Sequence, residues 1–352
     1  MEEHPYLAAR ALVAPDLAAV ERELELLLAS QRDYLTEAEL GFYRGGKRLR
    51  PLLLVLSAHV AAREPLAELP ERAIAAAVSI ELSHVGSLIH DDIVDRAPLR
   101  RGLPTIAASR GYELALVLGD LQWIQATRKM SAHVRGEADL ALMRDFLATG
   151  EQTCRGQLDE MLAPRPVGDD GGGEAERLIE RYYRTIDRKT GRLISFACEG
   201  GGRLVDGGPA VVGGLRRFGA WLGRAFQIVD DVMDVMRPLE VAGKEPLTDL
   251  RQGRLSLPLL YELRELPSEH FLHAVVRGEE LSDERLEEGV RLLRRGDGWM
   301  RAIGDARAIV VRARSELALL PPGEHRERLD ALAAHIVDQG FRDTYETAAC
   351  AA

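Results

Sequence analysis

PERAIAAAVSIELSHVGSLIHDDIVD, residues 70–95, sets apolar side chains at Ile74, Ala77, Val78, Leu82, Val85, Leu88 and Ile89. Those three- and four-residue spacings are the period of a helix, and no comparable stretch alternates apolar and polar as a half-buried strand would. LAAVERELELLLAS, PLLLVLSAHVAA, ALMRDFLATGEQTCRGQLDEML, FGAWLGRAFQIVDDVMDVM and RLDALAAHIVDQGF repeat the pattern along the chain. The sequence therefore predicts an all-α protein, a single-domain helical bundle over residues 1–352. The apolar content of several segments is nearly continuous, which places them inside the bundle. PRPVGDDGGG, residues 164–173, predicts a flexible surface loop, and GGGRLVDGGP, residues 200–209, a second break. The tail at 343–352 is weakly patterned.

Helical geometry gives the end of the quoted stretch its chemical meaning. Asp91, Asp92 and Asp95 form DDIVD, and Asp230, Asp231 and Asp234 form DDVMD. Positions i and i+4 stack one turn apart on one helix face, so Asp91 adjoins Asp95 and Asp230 adjoins Asp234. Like charges at that spacing repel by a few tenths of a kcal/mol. One such segment alone reads as the solvated stripe of an amphipathic helix. Two of the same form, set among Leu88, Ile89, Ile93, Val94, Phe226, Val229 and Met233, read as carboxylates neutralised by a cation. Oxygen ligands with room for water suit Mg²⁺, which completes its shell with phosphate and water.

Composition bounds the alternatives. The chain has 352 residues, 46% hydrophobic and 29% charged, as expected of a globular protein. A formal net charge of -10 argues against general nucleic-acid binding, which needs a basic footprint. Basic residues nonetheless cluster at Lys47, Arg48 and Arg50 and at Arg96, Arg100 and Arg101, which suits a metal-bridged polyanion. No run of 18 uncharged apolar residues predicts a membrane span. The acidic first residues carry no secretory pattern, and three scattered cysteines, Cys154, Cys198 and Cys350, fit reduced thiols. The expected compartment is the cytoplasm.

The ordered motifs GGKRLRP at 45–51, ELSHVGSLIHDDIVDRAPLRRGLPT at 81–105, GQLDE at 156–160, KTGRL at 189–193, FGAWLGRAFQIVDDVMD at 218–234 and GKEPLTDLRQGRLSLP at 243–258 closely resemble the trans-isoprenyl diphosphate synthase (polyprenyl synthetase) family. They cover most of residues 40–260. The resemblance implies an all-helical fold in which the two aspartate segments face each other across a deep central cavity, in a homodimer. It implies 1'-4 condensation of isopentenyl diphosphate with an allylic diphosphate, whether dimethylallyl, geranyl or farnesyl. The implied cofactor is magnesium, three ions per site, with manganese as a substitute.

The resemblance also assigns roles. Asp91, Asp92, Asp95, Asp230, Asp231 and Asp234 would be the metal-binding residues. Lys47, Arg50 and His84 would hold the diphosphate of isopentenyl diphosphate. Arg100 would contact the allylic diphosphate and Arg101 the homoallylic one, by the bidentate fork that guanidinium offers. Lys189, Thr190, Gln227 and Lys244 would complete the allylic site, and Arg254 would add charge. Three positions depart from the family pattern: Leu247 where glycine is usual, Arg254 for lysine and Ser256 for threonine.

Product length is read from the residues before Asp91, where family members that stop early carry bulky aromatics. Here Ser87 and Gly86 are small, and Ile80, Ser83 and Gly86 lie along one stripe. The expectation is a product of twenty carbons, the geranylgeranyl compound, or longer, with Gly86→Phe shortening it. Two alternatives compete: a class I terpene cyclase, which needs no second diphosphate site, and a non-catalytic regulatory subunit of a heteromeric synthase, which would not retain all six aspartates.

Overall fold

In the computed structural model of the chain, Glu71 to Val94 is one uninterrupted helix whose residues from Ala73 to Ser83 are all buried. The structure describes residues 4–37, 39–40, 46–100, 102–162, 174–236, 250, 253–267, 269–279 and 281–351, with 174 and 339–351 as backbone alone. Arg101, Lys244, Leu247 and the 164–173 loop lie outside the described residues.

In chain order the helices are α1 Pro5–Leu12, α2 Ala14–Ala29, α3 Leu49–Ala61 and α4 Glu71–Val94. A short antiparallel hairpin follows, β1 Leu99–Arg100 and β2 Leu103–Pro104, with Arg100 opposite Leu103. Then come α5 Ile106–Arg110, α6 Tyr112–Ser131, α7 Glu137–Met161, α8 Glu174–Ile186 and a π-helical turn Asp187–Gly191. The chain continues through α9 Arg192–Leu204, α10 Pro209–Met236, α11 Leu257–Glu265, α12 Leu272–Arg277, α13 Asp283–Arg295, α14 Gly298–Ala318 and α15 Glu324–Ala351. The chain is all-α as expected, and among the described residues the hairpin is the only sheet. Backbone helix continues to Ala351, through the stretch whose sequence is weakly patterned.

The helices fall into two compact units whose boundaries lie inside α7, α9, α10, α14 and α15 rather than in linkers. The first unit comprises residues 1–150, 193–219 and 314–332. At its centre, α4 carries the run Ala73, Ala75, Ala76 and Ala77, small side chains that let α2 and α3 pack closely on it. Leu52, Leu53, Leu54 and Leu56 of α3 are fully buried. Truncating any one of them to Ala is expected to cost about 2–5 kcal/mol. The 18-residue apolar window of α4 satisfies the length and hydropathy of a membrane span, yet 78% of it is buried inside the fold. It is a core helix by packing.

The break expected at 200–209 is shorter than the sequence suggests. Gly200, Gly201 and Gly202 are helical, and a Cβ at Gly201 would collide with the carbonyl oxygen of Leu54 on α3. These glycines serve close helix packing, and the chain turns only at 205–208.

The second unit comprises residues 151–192, 220–313 and 333–352. Its apolar core joins Leu259 and Leu263 of α11, Leu272 and Val275 of α12, and Leu286, Val290 and Leu293 of α13. Buried Glu262 accepts the Gly298 N–H at 2.6 Å, capping the start of α14 with a carboxylate where the helix dipole favours one. Any side chain at Gly296 would run into that carboxylate.

Candidate active site

The last turn of α4 sorts its three aspartates. Asp91 is half-buried, and none of the described residues hydrogen-bonds or ion-pairs with its carboxylate. Asp95 caps the helix, its N–H donating to the Asp91 carbonyl at 2.8 Å, and it is buried. Asp92 is buried and held by Arg100, whose Nε donates to Oδ1 at 2.8 Å while Nη2 lies 2.8 Å from the same oxygen. The hairpin makes this pairing possible by folding Arg100 back over the end of α4. Thr105 locks the fold-back: its Oγ1 donates to the Ala97 carbonyl at 2.7 Å and caps α5 by accepting from Ala108 N–H at 3.1 Å. Asp92 also borders a cavity of about 220 Å³ lined by Ile89, Pro104 and Ile106 among others.

The expected anion loop precedes α3. Lys47 is exposed, and Arg50 sits in the first helical turn, where N–H groups and the helix dipole favour an anion. Between them Arg48 caps the helix in left-handed backbone, φ 51°, a conformation costing on the order of 1–3 kcal/mol outside glycine. It persists because Arg48 is buried in a double ion pair, Nη1 to Glu81 Oε1 and Nε to Glu21 Oε1, both at 2.9 Å. Burial works against the guanidinium charge, and the two carboxylates outweigh it, leaving Arg48 more firmly protonated than usual. The Tyr6 hydroxyl donates to the Lys47 carbonyl from α1. Glu81 and His84 share α4 one turn apart, so Arg48 ties this loop to the helix that bears His84.

The second segment lies on α10, inside the second unit, and is organised by a chain of neutral donors. Thr190 Oγ1 donates to Gln227 Oε1 at 2.7 Å, Gln227 Nε2 donates to Asp231 Oδ1 at 2.8 Å, and the Tyr182 hydroxyl donates to Asp231 Oδ2 at 2.7 Å. Desolvation pushes the Asp231 carboxyl well above the usual range; hydrogen bonds from Tyr182 and Gln227 oppose this, while the charges of Asp230 and Asp234 add to it. Burial, with Asp231 alongside, likewise keeps the Tyr182 hydroxyl protonated. At the end of α10, Arg294 Nε donates to the Val235 carbonyl at 2.8 Å, capping the turn that carries Asp234.

Lys189 and Thr190 sit in the π-helical turn, an irregularity often found at functional sites. Gly156 on α7 explains its fit: a Cβ there would stand 2.8 Å from the Lys189 nitrogen. Four residues on, Glu160 Oε2 holds Lys189 Nζ at 2.8 Å. The GQLDE motif is therefore one surface, glycine for close approach and glutamate for charge. Arg254 and Ser256 immediately precede α11.

The chain-length stripe differs from its sequence reading in one respect. Ile80 and Ser83 are fully buried, Gly86 is buried and Ser87 half-buried. The space beside Gly86 is not open: a Cβ there would stand 2.9 Å from Trp123 Cδ1 and 3.0 Å from the Gly119 carbonyl oxygen, both on α6. Gly86→Phe must therefore displace a neighbouring helix before it can shorten a product.

Among the described residues no three His, Cys, Asp or Glu side chains converge on a closed metal site. The donors fit an open one: Asp91 carries a carboxylate without a partner among the described residues, Asp230 and Asp234 are half-buried, and the ligands on offer are oxygens. That is the chemistry of a hard cation that retains water and phosphate ligands. Arg48, Tyr182, Glu160, Arg294 and Trp123 are site-shaping residues to which sequence reasoning gave no role. Of these, Arg48 and Glu160 carried a signal, through their places in GGKRLRP and GQLDE.

Known proteins resemble this chain in sequence and in fold. A family profile described as "Polyprenyl synthetase" matches residues 33–293. A nonaprenyl diphosphate synthase of Mycobacterium tuberculosis is 35% identical over 331 residues, covering 94% of each chain. Among solved structures, a heptaprenyl diphosphate synthase from Staphylococcus aureus superposes with a TM-score of 0.79 at 25% identity, covering 93% of this chain and 98% of that one. A geranylgeranyl pyrophosphate synthase from Corynebacterium glutamicum, complexed with calcium and isoprenyl diphosphate, gives 0.73 at 30% identity, covering 94% and 96%.

Proposed function

Because the chain belongs to the polyprenyl synthetase family, we propose that it lengthens an allylic diphosphate by 1'-4 condensation with isopentenyl diphosphate, releasing diphosphate and ending at a product of twenty carbons or more. The observation that carries this reading is the pair of DD-x-x-D segments, each with its middle aspartate held by the protein. By the family resemblance, Asp91 and Asp95 on one helix and Asp230 and Asp234 on the other would be metal ligands.

Loss of diphosphate from the allylic substrate is the hard step, because a highly charged anion must leave and an allylic cation remain. Asp91, Asp95 and Asp230 would hold magnesium, which when bound would supply Lewis-acid stabilisation of the charge that develops on the leaving group. By the family resemblance, Arg100, Lys189 and Lys244 would act on the same anion. The carboxylates of Asp92 and Glu160 hold the first two cations in place, so little reorganisation is needed as the charge grows. Lys47, Arg50 and His84 would bind isopentenyl diphosphate, a role the family resemblance also gives Arg101, so that its double bond attacks C1 of the allylic cation. Exclusion of water from the site would protect the cation from hydrolysis. The released diphosphate takes the final proton, and no Ser, Cys or His acts as general base.

The exposed apolar side chains Leu116, Val117 and Ile124 on α6 support a homodimer, to be checked by sedimentation equilibrium. The free thiols Cys154 and Cys198 accord with a cytoplasmic location. Purified protein incubated with magnesium, isopentenyl diphosphate and each of dimethylallyl, geranyl and farnesyl diphosphate should give linear prenyl diphosphates, and EDTA should abolish them. Cyclised hydrocarbon without consumption of isopentenyl diphosphate would show a cyclase instead, and no turnover would favour a regulatory subunit.

A further inference from the structure

The π-helical turn Asp187–Gly191 is wider than the α-helix on either side of it, and the Arg192 N–H closes it by donating to the Asp187 carbonyl. Such turns are rare, so contacts from neighbouring elements are needed to hold one. Four consecutive side chains make them, in two directions. Arg188 and Lys189 pair with Asp159 and Glu160 of α7, while Asp187 and Thr190 reach Arg224 and Gln227 of α10. The two bridges to α10 are in register: 187 and 190 are three residues apart, as are 224 and 227, and that spacing keeps side chains on one helix face. The bridge through Gln227 runs on to Asp231, and the other ends at Arg224. Arg224 Nε donates to Asp187 Oδ1 at 2.8 Å and Nη2 donates to Oδ2, so one guanidinium fork takes both carboxylate oxygens. The Trp221 ring, 5.1 Å from the guanidinium carbon, and the Tyr183 ring, 5.3 Å from it, fix the fork further. Tyr183 is in turn anchored through its hydroxyl, which donates to Asp305 Oδ2 at 3.0 Å. Hydrogen bonding to Asp187 outweighs burial and leaves Arg224 more firmly protonated than usual.

We propose that Arg224 is a positioning residue for the allylic diphosphate: through Asp187 it fixes the π-helical turn in the shape that presents Lys189 and Thr190 to that anion. With its fork committed to Asp187, Arg224 supports the turn and does not itself bind phosphate. The Asp187 backbone closes the turn and its side chain is the point of attachment, so loosening the ion pair loosens the segment that carries Lys189. This inference rests on the reading above that Lys189 and Thr190 bind the allylic diphosphate, and it deepens that reading.

The test compares wild-type protein with Arg224→Met, Arg224→Lys and Asp187→Asn. Calorimetric titration with farnesyl diphosphate and magnesium, in the absence of isopentenyl diphosphate, reads binding without turnover, and steady-state kinetics give KM for each substrate. Arg224→Met should weaken farnesyl diphosphate about tenfold in both readouts and leave KM for isopentenyl diphosphate within about twofold of wild type, the scale of one lost coupling between neighbours. Asp187→Asn should move the same constants in the same direction. Arg224→Lys keeps the charge but not the fork and should fall between Arg224→Met and wild type. It carries the test if circular dichroism shows that Arg224→Met does not fold. In a Lys189→Ala background the cost of Arg224→Met should shrink, because the turn then has less to present, whereas a merely structural bridge would cost the same with or without Lys189. Folded variants with wild-type affinity for farnesyl diphosphate, an equal rise in both KM values, or a loss unchanged by Lys189→Ala overturn the inference and leave the proposed reaction standing. Wild-type protein that elongates no allylic diphosphate overturns the reaction and the inference together.

Discussion

Asp92 and Asp231 hold the same place in DDIVD and DDVMD, and they are restrained by opposite means. Asp92 is buried against a cation, the Arg100 guanidinium brought over it by a hairpin. Asp231 has neutral donors on both oxygens, Tyr182 on one and Gln227 on the other, and its carboxyl is pushed up in pKa by desolvation. One motif has thus been built into two electrostatic settings. In both, the middle aspartate is held by side chains of the protein. The lesson is that the spacing, rather than the number of carboxylates, is what the two helices have in common. Asp91 stacks on Asp95 and Asp230 on Asp234, while the middle residue points off that line to a support of its own.

The largest effect expected from breaking this scheme is at the outer positions. Asp91→Ala or Asp230→Ala should lower kcat by a factor on the order of 10²–10³ or more, the scale of losing one transition-state charge stabiliser. Thermal unfolding should show the fold intact, because each change also removes a like-charge repulsion of a few tenths of a kcal/mol. Near-normal magnesium-dependent rates in either variant would contradict the assignment.

The middle positions should differ in stability. Asp92→Asn leaves Arg100 facing a neutral amide in a largely buried setting and should cost about 1–3 kcal/mol by urea denaturation. Asp231→Asn replaces a carboxyl whose charge is already disfavoured and should change stability by less than about 1 kcal/mol. Equal losses in the two variants would mean that the charged and neutral supports are equivalent.

The smallest effects concern pH. In the first unit, burial and the stacked ring of His59, 4.4 Å away, lower the pKa of His325 below 6.5. The unfolded chain therefore takes up that proton first, and stability should fall as pH drops below about 6.5. Burial opposes ionisation of Asp16, but hydrogen bonds from His59 and the Leu69 N–H, with the charges of both histidines, leave it below 3.8, which adds a loss of the same sign at lower pH. Asp231 has the opposite sign. Its raised pKa means that the folded state holds a proton the unfolded state has released, so its contribution is full below 3.8 and is lost as pH rises. Denaturation curves in EDTA should show His325→Gln flattening the acid side and Asp231→Asn flattening the opposing trend. A wild-type acid limb retained in His325→Gln would exclude that histidine.

Much of this was legible in the residues. The helical period of 70–95 is carried by side chains that all face one core, and six aspartates in two matching groups survive any error in helix boundaries. Less legible was the role of single residues whose meaning depends on distant partners. Nothing in KRLR marks Arg48 as the buried member and Lys47 as the exposed one, because Glu21 and Glu81 are remote in sequence. Gly200, Gly201 and Gly202 read as a break because their packing against α3 is invisible without the Leu54 carbonyl. Small residues at 86 and 87 read as empty space for the same reason, since Trp123 lies on another helix. Tyr182 gave no sign of its bond to Asp231, 49 positions away.

The central claim is that the outer carboxylates of both segments hold metal ions against a diphosphate while the middle carboxylates stay with the protein. Crystals grown with manganese and inorganic pyrophosphate test it most directly, through anomalous difference density. The account predicts metal peaks within bonding distance of Asp91, Asp95 and Asp230, bridged to pyrophosphate oxygens, with Tyr182 still donating to Asp231 and Arg100 still beside Asp92. Peaks ligated by Asp92 or Asp231 instead, or pyrophosphate bound without metal at either segment, would contradict it.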